Sequence, residues 1–133
     1  MTYALDTNIV IRYLRKDISV RNYFREVQEQ GHDIVLPIIV DYEIRRGLRI
    51  ISAPRKKAAY VVLTEGLSIA ELDNTTWEKA EEIYAELYQK GFTVGEMDIL
   101  IAAVCLVNDY TLVTGNTKDF ENIEGLEITD WTI

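Results

Sequence analysis

The sequence predicts an α/β fold: a mostly parallel sheet covered by helices on both faces. Three observations predict it. Short apolar runs of strand length alternate with longer stretches of helical period along the chain, which is the pattern of strands joined by helical crossovers. The stretch from Glu96 or Met97 through Val107 is apolar almost all round, so as a helix it has no face for solvent and must be buried against the sheet or at a subunit contact. Acidic residues also recur where an apolar run ends or a helix begins, at Asp6, Glu43 and Asp98. In open α/β sheets that edge holds the ligand crevice.

The elements follow in chain order. Tyr3, Ala4 and Leu5 read as the first buried strand, and Asp6 stands at its carboxyl end. Thr7 and Asn8 are helix-capping types. A helix is therefore expected to start there and continue from Ile9 to Lys16, its amide groups facing the crevice. Asp17 to Gln30 reads as a second helix, stopped by Gly31. Ile34, Val35 and Leu36 form the second strand, broken at Pro37, after which Ile38 to Ile44 turns helical with Glu43 in the first turn or two. Arg45, Arg46 and Arg49 follow on that helix. Ser52 is expected to cap the next helix, with Pro54 near its start, where a missing amide is tolerated. This helix runs to about Glu65, and Leu67 to Leu72 reads as a third strand.

Thr75, Thr76, Trp77 and Glu78 have the spacing of a capping box. Trp77, Ala80, Ile83, Tyr84, Leu87 and Tyr88 then recur at helical spacing and predict a buried stripe, with Glu81, Glu82 and Glu86 outward. Gly91 ends this helix, and the apolar helix follows with Asp98 in its first turn. Thr111 to Thr114 reads as a strand, Gly115 to Phe120 as a turn, and Leu126 to Ile128 as a last short strand before Trp131. No internal repeat, low-complexity tract or linker interrupts the 133 residues, and a single domain over residues 1–133 is expected.

Composition narrows the class. Apolar residues make up 48% of the chain and only two are proline, which argues against a disordered protein. No apolar run is long enough to span a bilayer. Met1 leads straight into a strand, with no basic and apolar leader. Cys105 has no partner for an internal disulfide, so a cytoplasmic location is expected. The net charge of −8 alone argues against a nucleic-acid partner, but the charge is unevenly spread. Residues 1–57 carry 11 Lys and Arg against 7 Asp and Glu, a net of +4; residues 58–133 carry 3 against 15, a net of −12. That asymmetry suggests one surface facing a polyanion and another that is acidic, unless both are simply solvated helix faces.

In a parallel sheet the strand ends and helix starts gather at one edge. Asp6, Glu43, Asp98 and the Asn116–Asp119 turn can therefore meet, although they lie far apart in sequence. Acids so placed repel one another unless a cation compensates. Magnesium typically takes one or two carboxylates together with waters and phosphate oxygens, and such ions serve phosphodiester cleavage.

These segments resemble the PIN-domain nucleases, and within them the VapC-type toxins of toxin–antitoxin pairs. The matching stretches are Leu5–Asn8, Tyr42–Ile44 with Gly47, Val94–Ala103, Leu112–Phe120 and Ile128–Trp131, in the family's order over nearly the whole chain. The resemblance implies a Rossmann-like three-layer α/β/α sandwich. It also implies Mg2+- or Mn2+-dependent endoribonuclease activity leaving 3′-hydroxyl and 5′-phosphate ends, a homodimer, and inhibition by a small VapB-like antitoxin. By it Asp6, Glu43 and Asp98 hold the metal. Where relatives have a fourth acid this chain has Asn116, a weaker ligand, so either Asn116 orients water or phosphate or Asp119 substitutes for it. Thr114 is then expected to hydrogen-bond the neighbouring acid or a water.

Each residue also has a plainer reading. Asp6 could only cap a helix, Glu43 could be a surface acid, and Asp98 or Glu96 could complement a helix dipole. His32, on a predicted loop, is expected to be exposed, and Cys105 to pack in the core. The tyrosines sit mostly on helix faces and suggest no base stacking. Arg45, Arg46 and Arg49, with Arg55, Lys56 and Lys57, are expected to contact RNA backbone or antitoxin, as are Thr7 and Asn8. No GxxxxGK[ST] or GxGxxG loop is present. Two other function classes stay open. A haloacid dehalogenase-like phosphatase would use Asp6 as nucleophile but wants an acid at position 8, which is Asn8. A non-catalytic module with this fold would have no need of the three acids.

Overall fold

The computed structural model describes residues 1–133. Its elements are β1 (Thr2–Leu5), α1 (Thr7–Leu14), α2 (Ile18–Glu29), β2 (Asp33–Pro37), α3 (Ile38–Ile50), α4 (Pro54–Glu65), β3 (Ser68–Ala70), α5 (Asn74–Gln89), α6 (Glu96–Asn108), β4 (Thr111–Val113), a 3-10 turn (Thr117–Asp119) and β5 (Ile128–Thr129). The five strands form one sheet in the order β3-β2-β1-β4-β5, and every neighbouring pair is parallel. The chain winds outward from β1 through β2 to β3, then returns across the sheet to β4 and β5. Right-handed crossovers in these two directions place their helices on opposite faces. One face carries α1 to α4, and the other carries α5 packed along α6. The result is the three-layer α/β/α sandwich.

Reversal of winding leaves a topological switch point between β1 and β4, where Leu5 pairs with Val113. The residues that leave these two strands side by side are Asp6 and Thr114. This is the position at which α/β sheets hold ligands. The buried core under it comes from Ala4 and Leu5 of β1, Ile34 to Leu36 of β2, Leu112 and Val113 of β4, and Ile99 with Ile101 to Cys105 of α6. Burying one such aliphatic side chain contributes about 1.5–3 kcal/mol, and α6 alone buries five consecutive residues. The apolar pattern of α6 therefore fixes where Asp98, in its first turn, must lie.

Several local expectations shift. Thr7 and Asn8 do not cap α1; Asp6 does, its side chain accepting from the Thr7 amide. Asp17 likewise stands outside α2 as its cap. Ser52 does not cap α4, which starts at Pro54 after Ala53 with no side-chain cap. Asp73, not Thr75, caps α5: its Oδ1 accepts from the Thr76 amide at 2.9 Å and hydroxyl at 2.8 Å. The buried stripe of α5 is Thr76, Ala80, Ile83 and Leu87, while Trp77, Tyr84 and Tyr88 are exposed. The last strand lies at Ile128–Thr129 rather than at Leu126–Ile128, because it is Ile128 and Thr129 that pair with Leu112 and Val113. His32 is half-buried, edge-on to the Tyr3 ring at 5.9 Å, rather than free in solvent. No helix is long and apolar enough to cross a membrane.

Candidate active site

Asp6 is 5% exposed, and a buried carboxylate needs donors. It has three. Oδ1 accepts from the Thr7 amide at 2.8 Å, and Oδ2 accepts from the Thr114 hydroxyl at 2.7 Å and the Asn8 Nδ2 at 3.0 Å. Burial pushes its pKa above the usual carboxylate range; these donors, Thr114 foremost, pull it back, and the charge of Asp119 pushes it up again. Both oxygens are therefore fixed in direction.

Glu43 stands in the second turn of α3, half-buried. Its Oε1 accepts from the Thr7 hydroxyl at 3.1 Å, which ties the start of α1 to α3. Asp98 is half-buried at the start of α6. Its pKa is pushed up to about 6, first by burial and then by the charges of Asp6, Asp119 and Glu43. Asp119, on the 3-10 turn after β4, is exposed toward the same crevice edge. The structure thus brings Asp6, Glu43, Asp98 and Asp119 into one electrostatic field. None of the five ion pairs in the molecule involves any of the four. The acids rim a crevice rather than converge on a point, since no three of the Asp, Glu, His or Cys side chains stand close enough together to enclose an ion alone.

Asn116 is exposed, and its polar contacts are through its backbone: its amide donates to the Thr114 hydroxyl at 3.0 Å and its carbonyl accepts from the Asp119 amide. Of the two, Asp119 is the one whose carboxylate is felt by Asp6 and Asp98. Thr114 bonds the neighbouring acid, as expected. Thr7 and Asn8, expected to meet substrate or partner, donate hydrogen bonds from their side chains to Glu43 and Asp6. The role of Asn8 extends further, because its Oδ1 accepts from the Gly115 amide at 3.1 Å.

The three arginines of α3 divide. Arg45 and Arg49 line a cleft of about 830 Å3 between α3 and α4, together with Leu48, Ile51, Lys57 and Tyr60. There Asp41 accepts the Tyr60 hydroxyl at 2.7 Å and faces Arg45 at 3.7 Å. Arg46 lies over the Tyr42 ring at 5.1 Å. Cys105 is fully buried, and burial pushes its thiol up to about 12. It packs, and does no thiolate chemistry.

The PIN domain family model matches residues 3–126. Ribonuclease VapC2 of Rickettsia felis is 30% identical over 135 residues, covering 98% of each chain. The tRNA(fMet)-specific endonuclease VapC of Shigella flexneri is 28% identical, covering 99% of each. Among solved structures, VapBC2 of Rickettsia felis bound to a DNA fragment from its promoter matches with a TM-score of 0.92 at 27% identity, over 98% of this chain and 99% of that one. DNA-bound VapBC of Salmonella typhimurium matches with a TM-score of 0.90 at 28% identity, over 98% of both.

Proposed function

Since the chain belongs to the PIN-domain family, we propose that its carboxylate crevice hydrolyses RNA with a divalent cation, Mg2+ or Mn2+, held by Asp6, Glu43 and Asp98 and completed by Asp119. With its VapC relatives the protein is an endoribonuclease, the toxin of a VapBC-type pair, whose partners are RNA and a VapB-like antitoxin. Homodimer assembly and a cytoplasmic location belong to the same proposal.

One observation carries the metal reading. Four carboxylates share a crevice, burial and then the charges of the other three raise Asp98 to about 6, and no protein cation pairs with them. The donors are all hard oxygens, the set that Mg2+ and Mn2+ prefer, and an incomplete protein cage suits an ion that keeps several waters. Bound there, such an ion supplies Lewis acidity to an attacking water and charge for the leaving oxygen. The chain's own part is orientation. Asp6 is locked by three donors. Thr7 steers Glu43 through one oxygen and leaves the other unbonded. Asp98 and Asp119 accept no side-chain hydrogen bond and keep their oxygens for water, ion or substrate phosphate.

A phosphatase reading fails locally, because the position where it needs an acid holds Asn8, whose amide group bridges Asp6 and Gly115. The test is cleavage of mixed RNA by the isolated protein with Mg2+, with Mn2+ and with excess EDTA. Cleavage with either ion and none in EDTA is expected. Undiminished cleavage in EDTA would refute the metal reading, and absence of cleavage under all three conditions would favour the non-catalytic module.

A further inference from the structure

Asp130, Trp131 and Thr132 pack close to the turn that follows β4. Trp131 is 1% exposed, and its ring meets Tyr3 at 5.7 Å, Tyr23 at 6.1 Å and Phe24 at 6.4 Å. Its carbonyl accepts from the Ser19 hydroxyl of α2 at 2.8 Å. On either side of it, Asp130 and Thr132 close a local turn: Asp130 Oδ1 accepts both the Thr132 amide at 2.8 Å and the Thr132 hydroxyl at 2.6 Å. An aspartate that bonds the backbone two residues on is a turn-forming device. Here it also fixes the Thr132 side chain in one rotamer, with its methyl toward Gly115.

Gly115 begins the turn that carries Asn116 and Asp119. Its φ is outside the left-handed region, where Gly31, Gly91 and Gly125 lie, so the backbone does not demand glycine there. Space is tight instead. A Cβ at position 115 would meet the Thr132 methyl at 3.2 Å and Asn8 Oδ1 at 3.5 Å, so the Thr132 methyl would have to give by a few tenths of an ångström. Gly115 also donates its amide to Asn8, and Asn8 donates to Asp6. Thr114, one residue earlier, holds the other donor to Asp6 Oδ2 and is itself fixed by its amide to the Thr129 carbonyl at 3.0 Å.

We propose that the Asp130–Thr132 turn is a positioning element of the active site, in which the Thr132 methyl backs Gly115 and Gly115, through Asn8, sets the direction of the Asp6 carboxylate and the 3-10 turn that bears Asp119. Thr132 touches no reacting group; it acts through Gly115. The inference rests on the proposed nuclease site.

The experiment is a double-mutant cycle on the full chain, with Gly115→Ala, Thr132→Ser and the two combined. Thr132→Ser removes the methyl and keeps the hydroxyl bond to Asp130. Gly115→Ala adds a methyl to the same space from the other side. Each variant is measured for kcat and KM on one RNA, and for Tm. Gly115→Ala should lower kcat by about ten- to a hundredfold with KM little changed, the range expected when catalytic groups are displaced by a fraction of an ångström to one ångström. Thr132→Ser should lower it by about fivefold. The combined variant should recover most of the Gly115→Ala loss, since contacting residues couple. A purely stabilising turn would change Tm and leave kcat per folded molecule at the parental value. Parental kcat in Gly115→Ala, or a double loss equal to the product of the single losses, would overturn the proposal. If Gly115→Ala does not fold, Thr132→Ser decides, and parental kcat there overturns it. Asp6→Asn run alongside separates the two claims: parental cleavage in that variant refutes the site itself, whatever the cycle shows.

Discussion

Asp6 does three jobs with one side chain. It ends β1, caps α1 and holds a fixed pair of oxygens at the switch point. An amide at position 6 keeps the shape, loses the charge and presents a donor to Thr114 or Asn8 where an acceptor stood. Asp6→Asn is therefore expected to fall below detectable cleavage while keeping the parent's far-UV spectrum; a folded variant cutting RNA at the parental rate would remove Asp6 from the site. Asp98 offers a test by pH. Its folded pKa of about 6 lies above its ordinary 3.8, so the folded state binds more protons between those values and loses stability as pH rises through them. Below about pH 4 Asp98 is protonated in both states and adds nothing; above about pH 6 its full destabilisation is present. In EDTA, Asp98→Asn should melt close to the parent at pH 4 and above it at pH 7.5. A gap of equal size at both pH values would mean the charge field is not its cause. The acids were legible in the sequence because each follows a strand or opens a helix. Their donors were only partly legible. Thr114 lies 108 residues from Asp6 and Gly115 lies 107 from Asn8, and no local pattern links such pairs. The Asp130–Thr132 turn did have a local signal, an aspartate two residues before a threonine, but nothing in the sequence tells what that turn rests against.

Periodicity set the elements, and packing set their faces. On α5 two interleaved rows share helical spacing, one of Thr76, Ala80, Ile83 and Leu87 and one of Trp77, Tyr84 and Tyr88. The spacing of apolar residues alone puts Trp77, Tyr84 and Tyr88 in one buried stripe with Ala80, Ile83 and Leu87. The structure buries the slimmer row, which lets α5 lie close along α6, and leaves the rings outside. The caps moved for a related reason: at α1 and α5 an aspartate stands just ahead of the expected threonine and satisfies the free amide groups first. On α3 the sequence shows three arginines within five positions, but helical geometry sends Arg45 and Arg49 to the α4 cleft and leaves Arg46 on Tyr42. This division makes a sharper prediction than a common basic patch. Arg45→Glu with Arg49→Glu should weaken RNA or antitoxin binding and flatten its salt dependence, each lost phosphate contact lowering the slope by roughly 0.7 for a single strand. Arg46→Glu alone tests the other face. Unchanged affinity and slope for both partners in all variants would make the basic side of α3 a solvated surface.

For the molecule as a whole, the acid crevice is a site of built-in repulsion within a chain of net charge −8. Burial and the charges of the neighbouring acids disfavour the ionised Asp98 in the metal-free fold, and a cation that binds only the folded crevice should offset that by mass action. At an ion concentration about a hundredfold above the dissociation constant the stabilisation is roughly 2.7 kcal/mol for one site. For a protein of this length that raises Tm by on the order of 10 °C. Asp98→Asn should change two quantities in opposite directions. The metal-free Tm at neutral pH rises, because a half-buried charge beside three other acids has gone, and the increment on adding Mg2+ or Mn2+ shrinks, because an amide is a poorer ligand. Glu86→Gln, a surface acid of α5, removes the same net charge away from the crevice and should do neither. The comparison needs melting curves of the three proteins without divalent ion, with Mg2+, with Mn2+ and with excess EDTA. A general charge effect would make Glu86→Gln and Asp98→Asn behave alike, so only their divergence speaks for a local field. Equal metal increments in the parent and Asp98→Asn would show that Asp98 holds no ion, and the proposed ligand set would then lose the residue whose pKa first argued for it.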